Sequence, residues 1–275
     1  MRWLITGVSS GLGRALAEAA LARGDTVAGT VRKPGDLADF QARAPGRAIG
    51  LLADMGASDQ VRAAVQEAEH RTGGLDILVN NAGYGLVGAL EESGLDEIRR
   101  QFEVNVMGPI AAIQTVLPHM RARRAGHIIN ISSVSGVAAW AGTGIYCASK
   151  HALEGATQTL AQEVAEFGIK VTNIQPGGLR TDYAGRSLTV ARPQIAAYDG
   201  TARQAERILS GQAGREPGDP AKAAAAVLAI AGIEAPPLRL LLGADAVHYA
   251  TQAMSDYLAE IGRWSALSLS TACDP

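Results

Sequence analysis

Residues 4–16 read LITGVSSGLGRAL: a short apolar run leads into three glycines, and Leu and Ala then recur at helical spacing. The glycines stand at Gly7, Gly11 and Gly13. Glycine permits a tight turn and lets a ligand approach the bare backbone, and a helix that begins there presents free N–H groups and the positive end of its dipole. A strand, a glycine loop and a helix in this order predict a parallel α/β fold whose first turn binds a phosphate group.

The rest of the chain alternates short β-type runs with longer helical stretches, which is typical of a parallel sheet covered by helices on both faces. Apolar runs such as HIINI, residues 127–131, agree, because parallel strands are buried on both sides. We predict an α/β fold with a single Rossmann-type, doubly wound parallel sheet of about seven strands, forming one domain over residues 1–275. The predicted strands cover residues 2–6, 26–30, 48–52, 77–79, 127–131, 171–175 and 238–242, and the predicted helices cover 12–22, 58–71, 103–124, 146–167, 220–231 and 244–262.

One long segment departs from this alternation. From residue 177 to about 217 the chain carries Gly, Arg, Ser, Thr and Gln without a clean strand. A segment of this length inside a compact domain usually has a function. We predict a substrate lid at about residues 178–216, with a loosely helical surface excursion as the alternative.

Composition limits the classes of protein that fit. Hydrophobic residues make up 47% of the chain, charged residues make up 19%, and the formal net charge is −2, so nothing suggests nucleic acid or an anionic membrane as a partner. Two cysteines are too few for a disulfide framework or a metal cluster. Because the sequence shows neither signal-peptide anatomy nor a membrane-spanning stretch, we expect a soluble cytoplasmic protein without a metal.

The end of the second predicted strand bears on which nucleotide would bind. This strand ends in VAGTVRK, residues 27–33. An enzyme that uses NAD usually presents an acid here to the adenosine ribose, whereas this chain has Val31 and then Arg32. A guanidinium pairs well with a 2′-phosphate, so the sequence favours NADP and leaves NAD possible. The alternative is that Arg32 is a solvated loop charge.

The stretch YCASKHALEG, residues 146–155, places one of only four lysines a helical turn after a tyrosine, in a chain with 21 arginines. A free phenol has a pKa of about 10 and gives up its proton poorly in neutral water. An ammonium group one turn along the helix stabilises the phenolate and lowers that pKa. Tyr146 and Lys150 are therefore predicted to form an acid–base pair, with an amphipathic surface pair as the alternative.

Seven short motifs, taken in order, resemble those of the short-chain dehydrogenase/reductase family, in its short single-domain, hydroxysteroid-dehydrogenase-like branch. They are the loop TGVSSGLG of residues 6–13, Asp54 with Met55, NNAG of residues 80–83, Asn105, Ser133 thirteen positions before Tyr146, the pair Tyr146 and Lys150, and PG of residues 176–177 with Thr181. Each motif alone has a structural explanation, such as turn chemistry for NNAG. Together, in register, they support one another.

The resemblance implies a role for each matching residue. The catalytic residues would be Ser133, Tyr146, Lys150 and Asn105. The cofactor would be bound by the glycine loop, the adenine-binding acid, the NNAG turn and the segment after strand 171–175, that is by Gly7, Ser9, Ser10, Gly11, Leu12, Gly13, Arg32, Asp54, Met55, Asn81, Ala82, Gly83, Tyr146, Lys150, Pro176, Gly177, Leu179 and Thr181.

These predictions converge on an NAD(P)-dependent oxidoreductase that transfers hydride between a nicotinamide cofactor and a carbonyl or secondary alcohol substrate. Ser133 would bind the substrate oxygen and Tyr146 would act as acid and base; by resemblance, Asn105 would hold a water that links Lys150 to solvent. Two alternatives stay open: a non-catalytic dinucleotide sensor or scaffold of the same fold, and the longer epimerase-like branch, whose loop spacing differs. The resemblance also implies a homodimer or homotetramer.

Overall fold

Strands and helices alternate along the chain in a computed structural model that describes residues 1–181 and 187–273. The strands are β1 (Arg2–Ile5), β2 (Thr26–Val31), β3 (Ala48–Leu52), β4 (Ile77–Asn80), β5 (Gly85–Val87), β6 (Gly126–Ile131), β7 (Ile169–Pro176), β8 (Leu188–Val190) and β9 (Arg239–Leu242). The helices are α1 (Gly11–Ala22), α2 (Pro34–Gln41), α3 (Ser58–Thr72), α4 (Leu95–Phe102), α5 (Gly108–Arg123), α6 (Gly144–Val164), α7 (Ala202–Gly211), α8 (Pro220–Ala231) and α9 (Ala244–Leu269).

Seven strands form one parallel sheet in the order β3-β2-β1-β4-β6-β7-β9, which confirms the predicted fold class. The strand order runs outward in both directions from β1 and β4. In open parallel sheets, ligands bind in the crevice beyond the carboxyl ends of the strands at this reversal point. The glycine loop that follows β1 and the NNAG turn that follows β4 border that crevice.

Helices cover both faces of the sheet. Successive side chains of each strand point to opposite sides, so an apolar strand presents apolar side chains to both faces. Trp3 and Ile5 belong to the apolar cluster that contains α1 and α8, whereas Leu4 belongs to the cluster that contains α3, α5 and α6. All three side chains are fully buried. This two-sided burial explains why the central strands appear in the sequence as continuous apolar runs.

The predicted helix over residues 103–124 is wrong in its bounds. An α-helix already begins at Leu95, a π-helical turn occupies Glu103–Met107, and α5 begins at Gly108. Single π-turns inside helices occur frequently at functional sites. Asn105, one of the predicted catalytic residues, lies within this turn and is buried.

The segment predicted as a lid contains more regular structure than expected, and residues 182–186 lie outside the described part of the chain. The expectation of no strand is wrong, because β8 pairs in parallel with β5 to form a second, two-stranded sheet, and α7 follows. The side chain of Glu92 is fully buried. Its carboxylate accepts hydrogen bonds from Ile195 N at 2.6 Å and from Arg203 Nη2 at 3.0 Å. The segment is thus tied to the body of the protein, and its role as a lid stays a prediction.

Two further differences concern helices. No helix was predicted at α2, which is short and has Pro34 in its first turn. The last helix was predicted to end at residue 262, whereas α9 continues to Leu269. A glycine in an exposed helix costs only about 1 kcal/mol relative to alanine, so Gly262 does not end the helix.

Candidate active site

The glycine loop between β1 and α1 is shaped by positive backbone angles and by close approach. Gly7 and Gly11 have φ of +74° and +59°, which side chains rarely adopt. A Cβ on Gly13 would lie 2.3 Å from both Asn81 Nδ2 and Gly7 O, so only glycine fits there. The bare backbone and the adjoining N-terminus of α1 form a cradle that fits a pyrophosphate.

Hydrogen bonds join the glycine loop to the NNAG turn across the crevice. Thr6 Oγ1 accepts from Asn81 N at 2.9 Å and from Ala82 N at 3.0 Å. The Asn81 side chain donates back to Thr6 O at 2.8 Å and Gly7 O at 3.2 Å. Asn81 and Ala82, both predicted to bind a cofactor, thus also hold the two loops at a set separation.

Asp54 follows β3 at the same edge of the sheet. Its carboxylate accepts a hydrogen bond from Gly56 N at 2.9 Å and two from Arg100 Nη2 at 2.8 and 2.7 Å. Burial raises the pKa of Asp54, but these donors outweigh it and, with the charge of Arg32, hold the pKa below its usual range. Asp54 is therefore an anionic acceptor at the expected adenine position, with Arg32 exposed beside it.

Two other residues predicted to touch a cofactor have buried side chains. Met55 is 4% exposed and belongs to the apolar cluster that contains α3 and α5, and Leu12 is 7% exposed and belongs to the cluster that contains α1 and α8. These two residues can therefore offer a ligand chiefly their backbone. Ser9 and Ser10, in contrast, are partly exposed on the loop.

Lys150 is buried within the crevice. Its Nζ donates a 2.8 Å hydrogen bond to Ile131 O at the end of β6 and lies 5.8 Å from the centre of the Tyr146 ring. A Cβ on Gly83 would come within 3.7 Å of the same nitrogen, which places the amine beside the NNAG turn. Burial lowers the pKa of Lys150 to about 8, and the carboxylate of Glu154 opposes this shift.

Asn105 is held by three hydrogen bonds in the π-turn between α4 and α5. Its Oδ1 accepts from Tyr84 N at 3.1 Å, and its Nδ2 donates to Tyr84 O at 2.9 Å and to Ser149 Oγ at 3.2 Å. Ser149 in turn donates to Tyr146 O at 2.7 Å. The asparagine therefore ties the turn that follows β4 to the helix that carries Tyr146 and Lys150.

Ser133 lies just beyond the end of β6, whose last residue, Ile131, accepts the Lys150 hydrogen bond. Its backbone is extended and its Oγ accepts from Ser135 N at 3.0 Å, at the start of a short 3₁₀ turn. Because the oxygen acts as an acceptor here, the hydroxyl hydrogen is oriented away from this bond. The side chain is 9% exposed, at the edge of the buried region.

The segment after β7 crosses in front of the glycine loop. Gly178 N donates to Asp245 Oδ2 at 2.7 Å, and Leu179 forms a bridge with Gly218. Thr181 comes close to Gly11, since a Cβ on that glycine would lie 3.7 Å from Thr181 Cβ. Residues 176–181 therefore border the same crevice as the two loops.

The structure thus gathers the predicted site residues at one edge of the sheet, and it adds three supporting residues that the sequence did not predict. Ser149 holds Asn105, Arg100 holds Asp54, and Asp245 holds Gly178. Ser149 lies inside the YCASK stretch and faces the same way as Tyr146 one turn earlier, which was a usable signal. Arg100 and Asp245 lie 46 and 67 residues from their partners, and no local pattern indicates such contacts.

Within residues 1–181 and 187–273, no group of three His, Cys, Asp or Glu side chains is arranged to hold a metal ion. Among the helices of this described part, none is both long and apolar enough to cross a membrane.

The sequence and the fold are both similar to those of known oxidoreductases. The family model described as short chain dehydrogenase matches residues 2–189. Oxidoreductase BOA17 of Botryotinia fuckeliana is 40% identical over 274 residues, which cover 98% of each chain. An NADPH-dependent 3-dehydrocapnine reductase of Ornithobacterium rhinotracheale is 36% identical over 196 residues, 69% of each chain. A short-chain dehydrogenase from Streptomyces avermitilis has a solved structure that superimposes with a TM-score of 0.91, at 42% identity over 98% of this chain and 97% of that one.

Proposed function

This chain belongs to the short-chain dehydrogenase/reductase family, and we propose that it transfers hydride between NADP and a carbonyl or secondary alcohol with Tyr146 as acid and base. Membership of the family makes the protein an NAD(P)-dependent oxidoreductase. The observation that best supports Tyr146 as acid and base is the buried Lys150 amine, which lies beside the Tyr146 ring and beside Gly83 of the crevice.

The proton chemistry follows from this pair. With a pKa of about 8, the lysine is mostly cationic at neutral pH. A cation next to the ring stabilises the phenolate, so the tyrosine can give its proton to a substrate oxygen during reduction and take it back during oxidation. The hydrogen bond to Ile131 O keeps the amine in place in both directions.

Ser133 supports the substrate side of the reaction. Its oxygen already accepts from Ser135 N, so its hydroxyl is available to donate to the oxygen of a carbonyl substrate. A donor that waits at the position where negative charge develops stabilises that charge without reorganisation. The nicotinamide, when bound, supplies or accepts the hydride.

The choice of NADP rests on Arg32. Its guanidinium is exposed directly after β2, where the strand ends in Val31 and not in an acid, and Asp54 lies near enough for its pKa to respond to the Arg32 charge. A guanidinium in this place favours the extra phosphate of NADP. The similar reductase from Ornithobacterium rhinotracheale, named as NADPH-dependent, agrees with this preference.

The proposal is tested by following NADPH oxidation over a panel of ketones and aldehydes and then comparing variants on the best substrate. Removal of a general acid typically costs 10²–10⁴ in rate, so we expect Y146F to lose roughly that factor in kcat. Y249F, at an exposed tyrosine near the start of α9, is the matched control. NADPH binding, measured by cofactor fluorescence, should be kept in both variants.

Two outcomes would contradict the proposal. If Y146F turns over as fast as the wild type, the tyrosine is not the acid. If the wild type binds NADPH tightly but oxidises it with no carbonyl of a broad panel, the sensor or scaffold alternative is favoured instead.

A further inference from the structure

A buried carboxylate lies one helical turn beyond Lys150 on α6. Glu154 is 4% exposed, and its Oε2 accepts from Asn173 Nδ2 of β7 at 2.9 Å. Arg239 of β9 approaches the same oxygen to 3.7 Å from a half-exposed position. Gly136 packs against the stem of the glutamate, since a Cβ there would lie 2.9 Å from Glu154 Cγ. Burial of a carboxylate is costly, so its presence at this position calls for a reason.

The surroundings of Glu154 form a polar row beneath α6. Asn80 donates to Asn130 Oδ1 at 2.8 Å, and Asn130 donates to Thr157 Oγ1 at 2.8 Å. Several buried atoms near this row lack a hydrogen-bond partner in the described part of the chain: Asn80 Oδ1, Ser132 Oγ, Glu154 Oε1, Asn173 Oδ1 and Gln175 Nε2. One carboxylate oxygen of Glu154, Oε1, therefore has no hydrogen-bond donor within the described part of the chain, while Oε2 is held by Asn173 and approached by Arg239.

We propose that Glu154 is a positioning residue for Lys150, whose charge it maintains from one turn farther along α6. This inference rests on the proposed function insofar as a charged Lys150 serves the acid–base pair. Pairs four residues apart on a helix face one another, and the low polarity of the interior strengthens their attraction. From its own helix, Lys150 also faces Tyr146; from β6 it meets Ile131 O, from the turn after β4 it meets Gly83, and Arg239 of β9 faces Glu154 itself.

The chain offers a direct test because it contains four lysines. Labelling of lysine with ¹³C at Cε should give four NMR signals, and K150M identifies the one from Lys150. We expect E154Q, which keeps a hydrogen-bonding side chain without the charge, to lower the titration midpoint of that signal by about one pH unit or more. E163Q, at an exposed glutamate of the same helix, should leave the midpoint where it is in the wild type.

A midpoint that is equal in E154Q and in the wild type would overturn the proposal. E154D restores the charge and should restore the midpoint; it also serves if E154Q proves unfolded by circular dichroism. On a substrate from the carbonyl panel, E154Q should lose more activity at pH 8 than at pH 6. The NMR result decides about Glu154 even if no carbonyl is reduced, so failure of this inference and failure of the proposed function can be told apart.

A second and independent observation concerns α9. Among the described residues, 1–181 and 187–273, the buried contacts of this helix lie near its start, where Ala246 and Ala250 pack against Val134, Val137 and Leu241. The same face continues beyond the body of the protein as an apolar stripe spaced three and four residues apart: Met254, Tyr257, Leu258, Ile261 and Trp264, each 49–67% exposed. Most of the stability of a protein helix comes from packing of such a face rather than from propensity, so this part of α9 needs a partner.

We infer that the partner is α9 of a second copy of this chain. Side chains of this size bury roughly 100 Å² or more each, so the five of the stripe together with Val247 and Leu269 give on the order of 700 Å² per copy, close to a standard protein interface. The opposite face carries Asp256, Glu260 and Arg263. Helices that lie on membranes are rich in basic residues on that face, so a lipid surface fits less well.

Sedimentation velocity on the full-length protein tests this surface. The double variant L258E/I261E should fall to a lower association state than the wild type, whereas Q252E/S255E, on the opposite face, should not. A wild type that is monomeric, or a double variant with an unchanged association state, would contradict the inference. Flotation with phosphatidylcholine vesicles is run in parallel, and a monomeric wild type that floats would assign the stripe to a lipid surface.

Discussion

The Arg100 guanidinium lies across the Asp54 carboxylate, with Nη2 2.8 Å from Oδ1 and 2.7 Å from Oδ2. It also fills the space above Gly56, so a Cβ at that position would displace the guanidinium. The pair joins the π-turn region, through α4, to the proposed adenine-binding edge. Arg100 therefore holds the Asp54 acceptor in place at the proposed adenine-binding edge.

We expect R100A to weaken NADPH binding by roughly 2- to 5-fold, because the lost contact is a partly exposed ion pair worth about 1 kcal/mol or less. D54A should cost more, since it removes the acceptor itself. R99A, at the neighbouring exposed arginine that pairs with Asp96, is the matched control. Cofactor titration by fluorescence measures all three, and a wild-type affinity for R100A would show that Asp54 needs no support.

Arg32 should decide the preference between the two nicotinamide cofactors. A hydrogen bond to a charged group contributes about 1.5–3 kcal/mol, so R32A should lower kcat/KM with NADPH by roughly 10- to 100-fold. The value with NADH should change little, because NADH lacks the 2′-phosphate. If kcat/KM falls equally with NADPH and with NADH, Arg32 supports the loop and does not bind the 2′-phosphate.

Gly13 should tolerate no side chain. The Cβ of G13A would overlap Asn81 Nδ2 and Gly7 O, so the two loops must separate, and we expect NADPH affinity to fall by at least roughly 10-fold. G35A is the control, because nothing lies within 4 Å of the position that its Cβ would take. A G13A protein that folds and binds NADPH normally would refute the close-approach argument.

His127 should make the protein sensitive to acid. It is buried with Nε2 3.0 Å from Thr172 Oγ1, and burial, assisted by the charge of Lys170, lowers its pKa to about 4. The unfolded chain has an ordinary histidine pKa near 6.5, so it binds a proton between about pH 6.5 and 4 that the folded protein does not bind. The free energy of unfolding should therefore fall as the pH drops through this window, by about 3 kcal/mol at most.

Urea denaturation at pH 7 and pH 4.5 measures this loss. H127Q removes the titrating group and keeps a hydrogen-bonding side chain, so its unfolding free energy should depend less on pH than that of the wild type. H70Q, at an exposed histidine of α3, should behave as the wild type does. Equal pH dependence in H127Q and the wild type would place the acid sensitivity elsewhere.

The sequence predicts the central sheet well because its strands are buried on both faces. When helical stretches flank them, apolar runs such as HIINI and the run before Gly7 predict parallel strands in the core. The short strands β5 and β8 were missed for the opposite reason: three residues carry too little pattern, and their pairing spans residues from Gly85 to Val190. The π-turn around Asn105 also leaves no trace in periodicity, because it inserts only a local change of register.

The residues of the candidate site also fall into two groups, those that local sequence patterns predict and those that they do not. Gly13, Tyr146 and Lys150 are recognisable because their chemistry depends on spacing within one element. The contacts that hold the site together, such as Arg100 with Asp54, depend on how elements pack, and a single sequence does not record that. Glu154 is an intermediate case: its spacing from Lys150 was visible, but its burial was not.

The hydrogen bond from Gly178 N to Asp245 bears on how the protein is made. Asp245 lies at the start of α9, 67 residues after the amide that it holds. Nascent chains emerge amino-terminal end first. The crevice thus cannot reach its final shape on the ribosome until the beginning of the last helix has left the exit tunnel, and incomplete translation products that stop before residue 245 would carry every acid–base residue yet lack this anchor.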